Sequence, residues 1–308
     1  MAQRLIGVDV GGTKISVAVL DDGRLSEPVL QATRTDGAQA LVDQLVAAAQ
    51  AAGPADAVGL GVPSVIDFDT GTARTSVNIP LRGVPLRTLM AERLGVPAFV
   101  DNDATVAALA EAFDDDLRPV AQTLVMLTIG TGVGGGIVIG GRIHRGATGA
   151  AAELGHLIVA ADLEDGAPEP SARPPQPASL EHLAAGKALD RLGQVRGIGD
   201  GHAVVDAAHD GDEAAIDCLR ILGERLGIGI ANMVNTFDPD LVVIGGGVSR
   251  AGELLLEPAR RVAQGYILEG VGTQTEIRLA RYGPQAGVRG AALLARQELE
   301  HHNDRKAG

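Results

Sequence analysis

The sequence predicts an α/β protein of two domains, and three observations carry that expectation. Short apolar strands alternate with amphipathic helices along the chain. An apolar strand, a glycine loop and a second strand open the chain, and the same succession returns near its middle. The 308 residues, 45% of them hydrophobic, exceed the size of about 250–300 residues at which one core gives way to two.

The opening stretch runs from Leu5 to Leu20. Leu5–Val8 is apolar and ends at Asp9, and Gly11-Gly12-Thr13-Lys14 forms the loop. Ile15, Val17 and Val19 then alternate with Ser16, Ala18 and Leu20, a strand signature, and Asp22-Gly23 marks a turn. A phosphate loop of the GxxxxGK[ST] type would open a helix, whereas this loop opens a hairpin. Leu25–Thr33 reads as a third strand, Ala38–Ala52 as a helix stopped by Gly53-Pro54, and Ala57–Val62 as a buried strand. Asp67–Gly71 is a hairpin turn, Leu86–Leu94 a helix, Val96–Val100 a strand leading to Asp101-Asn102-Asp103, and Ala104–Phe113 a helix.

The run Asp114–Pro119 reads as a domain boundary, with residues 1–117 on one side and 118–288 on the other. Slid forward by about 120 residues, the opening falls on Leu124–Ile129, the loop Gly130–Gly136 and the strand Ile137–Ile139. Gly130, Gly132 and Gly135 satisfy GxGxxG, but a strand follows rather than a helix, which excludes a dinucleotide fingerprint. The repetition suggests a duplicated domain with both loops facing one cleft. Asp162–Ala178 is polar and proline-rich, a loop. Helical patterns follow at Ser179–Gly186, Ala203–His209 and Glu213–Phe237, where Gly223, Gly227 and Gly229 allow close packing. Leu241–Ile244 is a strand running into Gly245-Gly246-Gly247, Glu253–Glu269 a helix, and Ile277–Ala280 a strand. A terminal helix starts at Gly287, packing about 289–308 back on the first domain, with a frayed tail from His301.

The net charge of −13 and the lack of a basic run argue against a nucleic-acid surface or an anionic membrane. No apolar run reaches the ~20 residues of a membrane span. Met1-Ala2-Gln3-Arg4 leads straight into a strand without a signal-peptide pattern, so a cytoplasmic protein is expected. Cys218, the only cysteine, lies in a helical run and reads as a core residue.

Phosphoryl transfer asks for positioning, charge neutralisation and a group that takes the acceptor's proton. Gly11, Gly12, Thr13 and Lys14, with Thr131 and Gly132, offer amide, hydroxyl and ammonium donors to phosphate oxygens. Gly246 and Gly247 leave bare backbone for a flat base. Asp9 beside the first loop could hold a metal ion or its water; the bland alternative is a tight hairpin with a solvated acid. Asp103 ends a strand, where open α/β sheets place ligands and a carboxylate can accept a proton. Alone, Asn102-Asp103 reads as a helix cap. Glu153 and His156, three apart, would share one face of a helical turn.

These residues resemble the ROK family (repressors, open reading frames, kinases) of sugar kinases, in the actin-like ATPase superfamily. The resemblance runs almost end to end. It covers Asp9–Lys14, Gly61-Val62-Pro63, Asn78, Asn102-Asp103-Ala104, Gly130–Gly136, Glu153-Leu154-Gly155-His156, Asn235–Pro239 with Gly245–Gly247, and Ala286–Ala292. It implies a ribonuclease H-like fold of duplicated βββαβαβα units around an interdomain cleft. It also implies ATP-dependent phosphorylation of a hexose at the 6-hydroxyl, glucose first. Asp103 is the implied general base. Asn78, Asn102, Glu153, His156 and Glu181 are the implied sugar contacts, and Asp9 the implied organiser of Mg2+ through water. A homodimer is implied as well.

Two departures stand out. The family's structural zinc is held by the motif histidine and three cysteines, and Gly166–Ser179 contains no cysteine, so no zinc is expected. Ser64 stands where many members carry glycine. The family's repressors begin with a winged helix-turn-helix, for which no room precedes the strand at Arg4, so the kinase branch is expected. Other readings are a kinase for fructose, mannose, an amino sugar or an N-acetylhexosamine, polyphosphate as donor, a non-catalytic sugar sensor, and, last, an actin-like ATPase or chaperone module.

Overall fold

A computed structural model describes residues 3–76 and 78–307, with side chains to 303. The strands and helices are β1 (Arg4–Val10), β2 (Lys14–Asp21), β3 (Arg24–Leu25), β4 (Val29–Ala32), α1 (Ala38–Ala51), β5 (Ala57–Val62), β6 (Ser64–Asp67), β7 (Thr72–Ser76), α2 (Leu86–Leu94), β8 (Ala98–Asn102) and α3 (Asp103–Glu111). They continue with β9 (Thr123–Ile129), β10 (Val133–Ile139), β11 (Arg142–Ile143), α4 (Leu180–Ala184), α5 (Gly186–Val195), α6 (Gly201–His209), α7 (Glu213–Phe237), β12 (Leu241–Gly245), α8 (Glu253–Tyr266), β13 (Glu276–Leu279) and α9 (Ala286–Ala307). Two compact units form. The first takes the chain up to Val120, with Gly136–Ala151 and the segment from Arg281 onward; the second takes Ala121–Gly135 and Ala152–Ala280.

The sheet of the first unit runs β3-β2-β1-β5-β8, and β4 also pairs with β2. β1 and β2 are antiparallel, while β1, β5 and β8 are parallel. The register sets Asp9 beside Gly61, and Gly61 beside Asp101, so three strands end at one level. That is the edge where open α/β sheets present their ligand-binding residues. The core beneath is aliphatic, with Val8, Val10, Ile15, Leu41, Leu45, Leu60, Leu81, Leu86 and Met90 completely enclosed.

Helix α9 lies against β1 and β5 at backbone contact. A Cβ at Gly7 would stand 2.1 Å from the Val288 carbonyl oxygen, and one at Gly59 only 1.8 Å from that of Ala291. Gly290 gives α3 the same closeness, at 1.7 Å from the Val106 oxygen.

In the second unit β9, β12 and β13 are parallel. Helices α7 and α8 pack through the expected glycines, since a Cβ at Gly223 would meet the Leu255 oxygen at 2.4 Å and one at Gly227 the Ala259 oxygen at 2.5 Å. Gly229 receives Leu180 of α4 instead. Cys218 is buried, as expected of a core residue.

Four local expectations are corrected. The third strand is broken in two around Pro28, which cannot donate to a ladder. The second glycine loop ends at Gly132, because β10 already begins at Val133; Gly135 packs against Leu154, and Gly136 against Thr105 and Ala108. Gly186 does not close a helix but opens α5. The tail from His301 stays helical to Ala307. Among the described residues, no helix is long and apolar enough to cross a membrane.

Candidate functional site

In the first unit the chemistry gathers at the ends of β1, β5 and β8. The loop after β1 is tight: the Gly11 amide donates to the Lys14 oxygen at 2.9 Å, and Thr33 Oγ1 donates to the Gly11 oxygen at 2.7 Å. Gly12 approaches Asn78, whose Cβ would lie 3.2 Å from a Cβ on Gly12. Asn78 is exposed and has a φ of 64°, a left-handed conformation that asparagine tolerates better than most residues. The loop and the asparagine, far apart in sequence, are therefore neighbours.

Asn102 and Asp103 sit at the β8–α3 junction. Asn102 is the N-cap of α3, its Oδ1 accepting from the Thr105 amide at 3.1 Å. Asp103 is the first helical residue, with Oδ1 accepting from the Ala104 amide at 2.9 Å. The cap is thus real, and it aims Asp103 from the sheet edge. Gly61 lets this happen, for a Cβ there would press on Val106 at 2.6 Å.

Asp9 is half-buried at the end of β1, against the first turn of α9, where a Cβ at Gly287 would stand 2.5 Å from its carboxylate. Its pKa is raised to about 7, first by burial and then by the Asp103 carboxylate, with Lys14 pulling the other way. A half-buried carboxylate with a second carboxylate close by is a donor set suited to a hard cation.

The sign of this shift gives a prediction. A folded pKa above the unfolded one contributes stability that is full below about pH 4 and lost as pH rises through about 7. Asp9→Asn should therefore melt higher than the parent chain at pH 8 without ligand or metal, and the gain should vanish below pH 4. Thermal melts across that range check it; an equal gain at every pH would contradict it.

Ser64 does not present a free hydroxyl: it is buried and donates to Ser76 Oγ at 3.0 Å.

In the second unit the loop Gly130–Gly132 is closed by the Gly130 amide donating to the Gly132 oxygen at 2.9 Å. The Gly186 amide donates to the Gly130 oxygen at 2.8 Å, tying the start of α5 to the loop. A cavity of about 400 Å³ opens here, lined by Gly130, Thr131, Lys187, Asp190, His202, Gly247 and Arg250 among others. Of the expected donor-side residues, Thr131 and Gly247 line it. Gly246 makes the turn with a φ of 85° against the Ile129 oxygen, where a Cβ would come within 2.4 Å. Asn235 instead binds backbone, its Nδ2 donating to the Tyr266 oxygen at 3.0 Å and its Oδ1 accepting from the Leu268 amide at 2.8 Å. Lys187, Asp190, His202 and Arg250 were missed. The pattern Ala188, Leu189, Leu192 after Gly186 could have revealed α5 and with it Lys187.

Glu181, on α4, accepts from the Val133 amide at 2.9 Å and touches Gly132, so it braces the glycine loop. Glu153 and His156 share one side of a short 3-10 turn at 3.9 Å, both about half exposed. The proline-rich loop is fastened at both ends by backbone. The Val159 amide donates to the Ala178 oxygen and the Leu180 amide to the Leu157 oxygen, at 2.9 and 2.8 Å. Ser179 then caps α4, accepting from the His182 amide. A Cys3His zinc set cannot be assembled around His156, because the single cysteine of the chain is buried in α7.

The ROK family profile matches residues 5–298. The chain belongs to the ROK family. It is 35% identical to a glucokinase of Halalkalibacterium halodurans, over 95% of both chains. It is 33% identical to an N-acetyl-D-glucosamine kinase of Haemophilus influenzae, over 94% of this chain and 98% of that one. A crystal structure of a ROK family glucokinase from Streptomyces griseus, in complex with glucose and AMPPNP, superposes with a TM-score of 0.77. That protein is 33% identical to this one, over 96% of this chain and 99% of its own. The α/β fold of this ROK protein is the actin-like ATPase fold of the family's sugar kinases.

Proposed function

We propose that this ROK protein is an ATP-dependent hexose kinase that phosphorylates the 6-hydroxyl of glucose. The observation that carries the reading is Asp103, a carboxylate set at the head of α3 by the Asn102 cap, beside Asp9 at the same sheet edge. Near-full-length similarity to a glucokinase and to a glucokinase with bound glucose and AMPPNP supports the substrate pair.

Asp103 takes the proton of the 6-hydroxyl as that oxygen bonds to the γ-phosphorus; the bond from phosphorus to the bridging oxygen breaks, and ADP leaves. Asn78, Asn102, Glu153, His156 and Glu181 are the proposed sugar contacts. Gly11, Gly12, Thr13 and Lys14, with Thr131 and Gly132, are the proposed phosphate contacts, and the cavity beside Gly246 and Gly247 the proposed adenosine site. Lys187 and Arg250, set beside Asp190 and Asp200 in the lining, offer cationic donors to phosphate oxygens. Asp9 would hold Mg2+, which when bound supplies charge neutralisation to the phosphates. The resemblance also supports a cytoplasmic homodimer.

ADP release measured over a panel of hexoses and donors tests the reading. Glucose with ATP should give the highest kcat/KM. A preference for N-acetylglucosamine, favoured by the Haemophilus relative, would move the substrate within the class. Sugar binding without phosphoryl transfer from ATP or polyphosphate would identify a sensor and overturn the kinase reading.

A further inference from the structure

We propose that Arg145 is a positioning residue for Asp103, holding the β8–α3 junction through a buried ion pair with Asp101. The proposal rests on the reading of Asp103 as the base.

Arg145 follows β11 and belongs to the first unit, as do all its partners. Its Nε donates to Asp101 Oδ2 at 2.8 Å and its Nη2 to Glu298 Oε1 at 3.0 Å. The flat face of the guanidinium covers the Phe68 ring, 3.4 Å from the centroid. Side-chain exposure is 19% for Arg145, 5% for Asp101 and 9% for Glu298. Two nitrogens and one face of the guanidinium are thus engaged by three separate segments: the end of β8, helix α9 and the β6–β7 turn. Lysine could supply the charge but neither the fork nor the flat face.

Stability alone is a weak account of this cluster. Drawing charges out of water costs energy that their attraction often fails to repay, and apolar replacements of buried pairs are frequently neutral or stabilising. What the cluster fixes is geometry. Asp101 uses its second oxygen, Oδ1, to accept from the Asn102 amide at 2.9 Å. Asn102 then caps α3 through Thr105. A continuous path runs from Glu298 through Arg145 and Asp101 to Asn102, and Asp103 lies inside its last link. Burial pushes the Asp101 carboxyl toward its neutral form and the Arg145 guanidinium opposes this, so removing the arginine loosens the path at its middle. Misplacing a reacting group by about 1 Å can cost on the order of 10²-fold in rate.

The test compares Arg145→Met, Arg145→Lys, Asp101→Asn and the double variant Arg145→Met/Asp101→Asn in the full chain. Measurements are kcat, KM for hexose and ATP, melting temperature and hydrogen exchange of residues 101–106. The expected result for Arg145→Met is kcat lower by about 10²-fold with both KM values within about threefold of the parent. Arg145→Lys should recover part of this loss, and the double variant should be no worse than the poorer single, since both act on one path. Exchange at 101–106 should rise in each variant. Unchanged kcat with a lowered melting temperature would overturn the proposal, leaving a structural ion pair, and so would additive losses in the double variant. If the parent chain phosphorylates no hexose, the kinase reading fails by itself. Hydrogen exchange then decides the positioning role, and unchanged exchange at 101–106 would overturn it.

Discussion

Asparagine in place of Asp103 is expected to cut the turnover of sugar phosphorylation by two to four orders of magnitude, the usual worth of a positioned general base. The substitution keeps the size of the side chain and an oxygen that can accept from the Ala104 amide, the contact Asp103 makes at 2.9 Å. The helix start should therefore survive, with the Asn102 cap on Thr105 intact. KM for both substrates should change little, because the proton leaves the hydroxyl only as the phosphorus bond forms. Steady-state kinetics with saturating ATP and hexose provide the measurement. A variant that keeps more than about a tenth of the parent turnover would remove Asp103 from the role.

The second large effect concerns packing. Gly59→Ala should destabilise the first unit by at least about 3 kcal/mol, the upper end of ordinary overpacking costs. The added methyl would meet the Ala291 carbonyl oxygen at 1.8 Å and the Ala291 carbonyl carbon at 2.7 Å. Both are backbone atoms of α9, so no rotamer change relieves them. Either β5 or the helix must shift, and the helix is also held at Gly7 and Gly290. Gly37→Ala is the matched control, since a Cβ there meets nothing within 4 Å. Urea titration followed on a signal from the first unit should separate the two variants. A Gly59→Ala midpoint equal to that of the control would show that α9 is not seated as described.

Much of this was legible from local pattern. The limits expected for β5, α2 and α7 agree with the structure, because each is followed by a residue that stops it: Pro63, Gly95 and Asp238. The break at Pro28 and the early start of β10 were harder. A short strand tolerates glycine when a neighbour packs on it, as Leu154 does on Gly135, and sequence period cannot show that neighbour. Gly186 misled because glycine is a common helix stop, whereas here it yields its amide to Gly130 and begins another helix.

At the site, Asp9, Asp103 and the two glycine loops were visible as motifs. Arg145 was not. One of its carboxylate partners lies 44 residues away and the other 153, so the cluster exists only after the chain has folded. The raised pKa of Asp9 is likewise a property of enclosure and of Asp103, which no residue-by-residue reading contains.

The seating of α9 has a consequence for how the protein is made. β1 and β5 are translated before the second unit, and the helix that covers Gly7 and Gly59 after it. The second unit must be synthesised before the first can close. During that interval an aliphatic sheet face stands open in the nascent chain, and contacts this distant in sequence form slowly. The open face of the first unit is therefore where a chaperone would find its client surface.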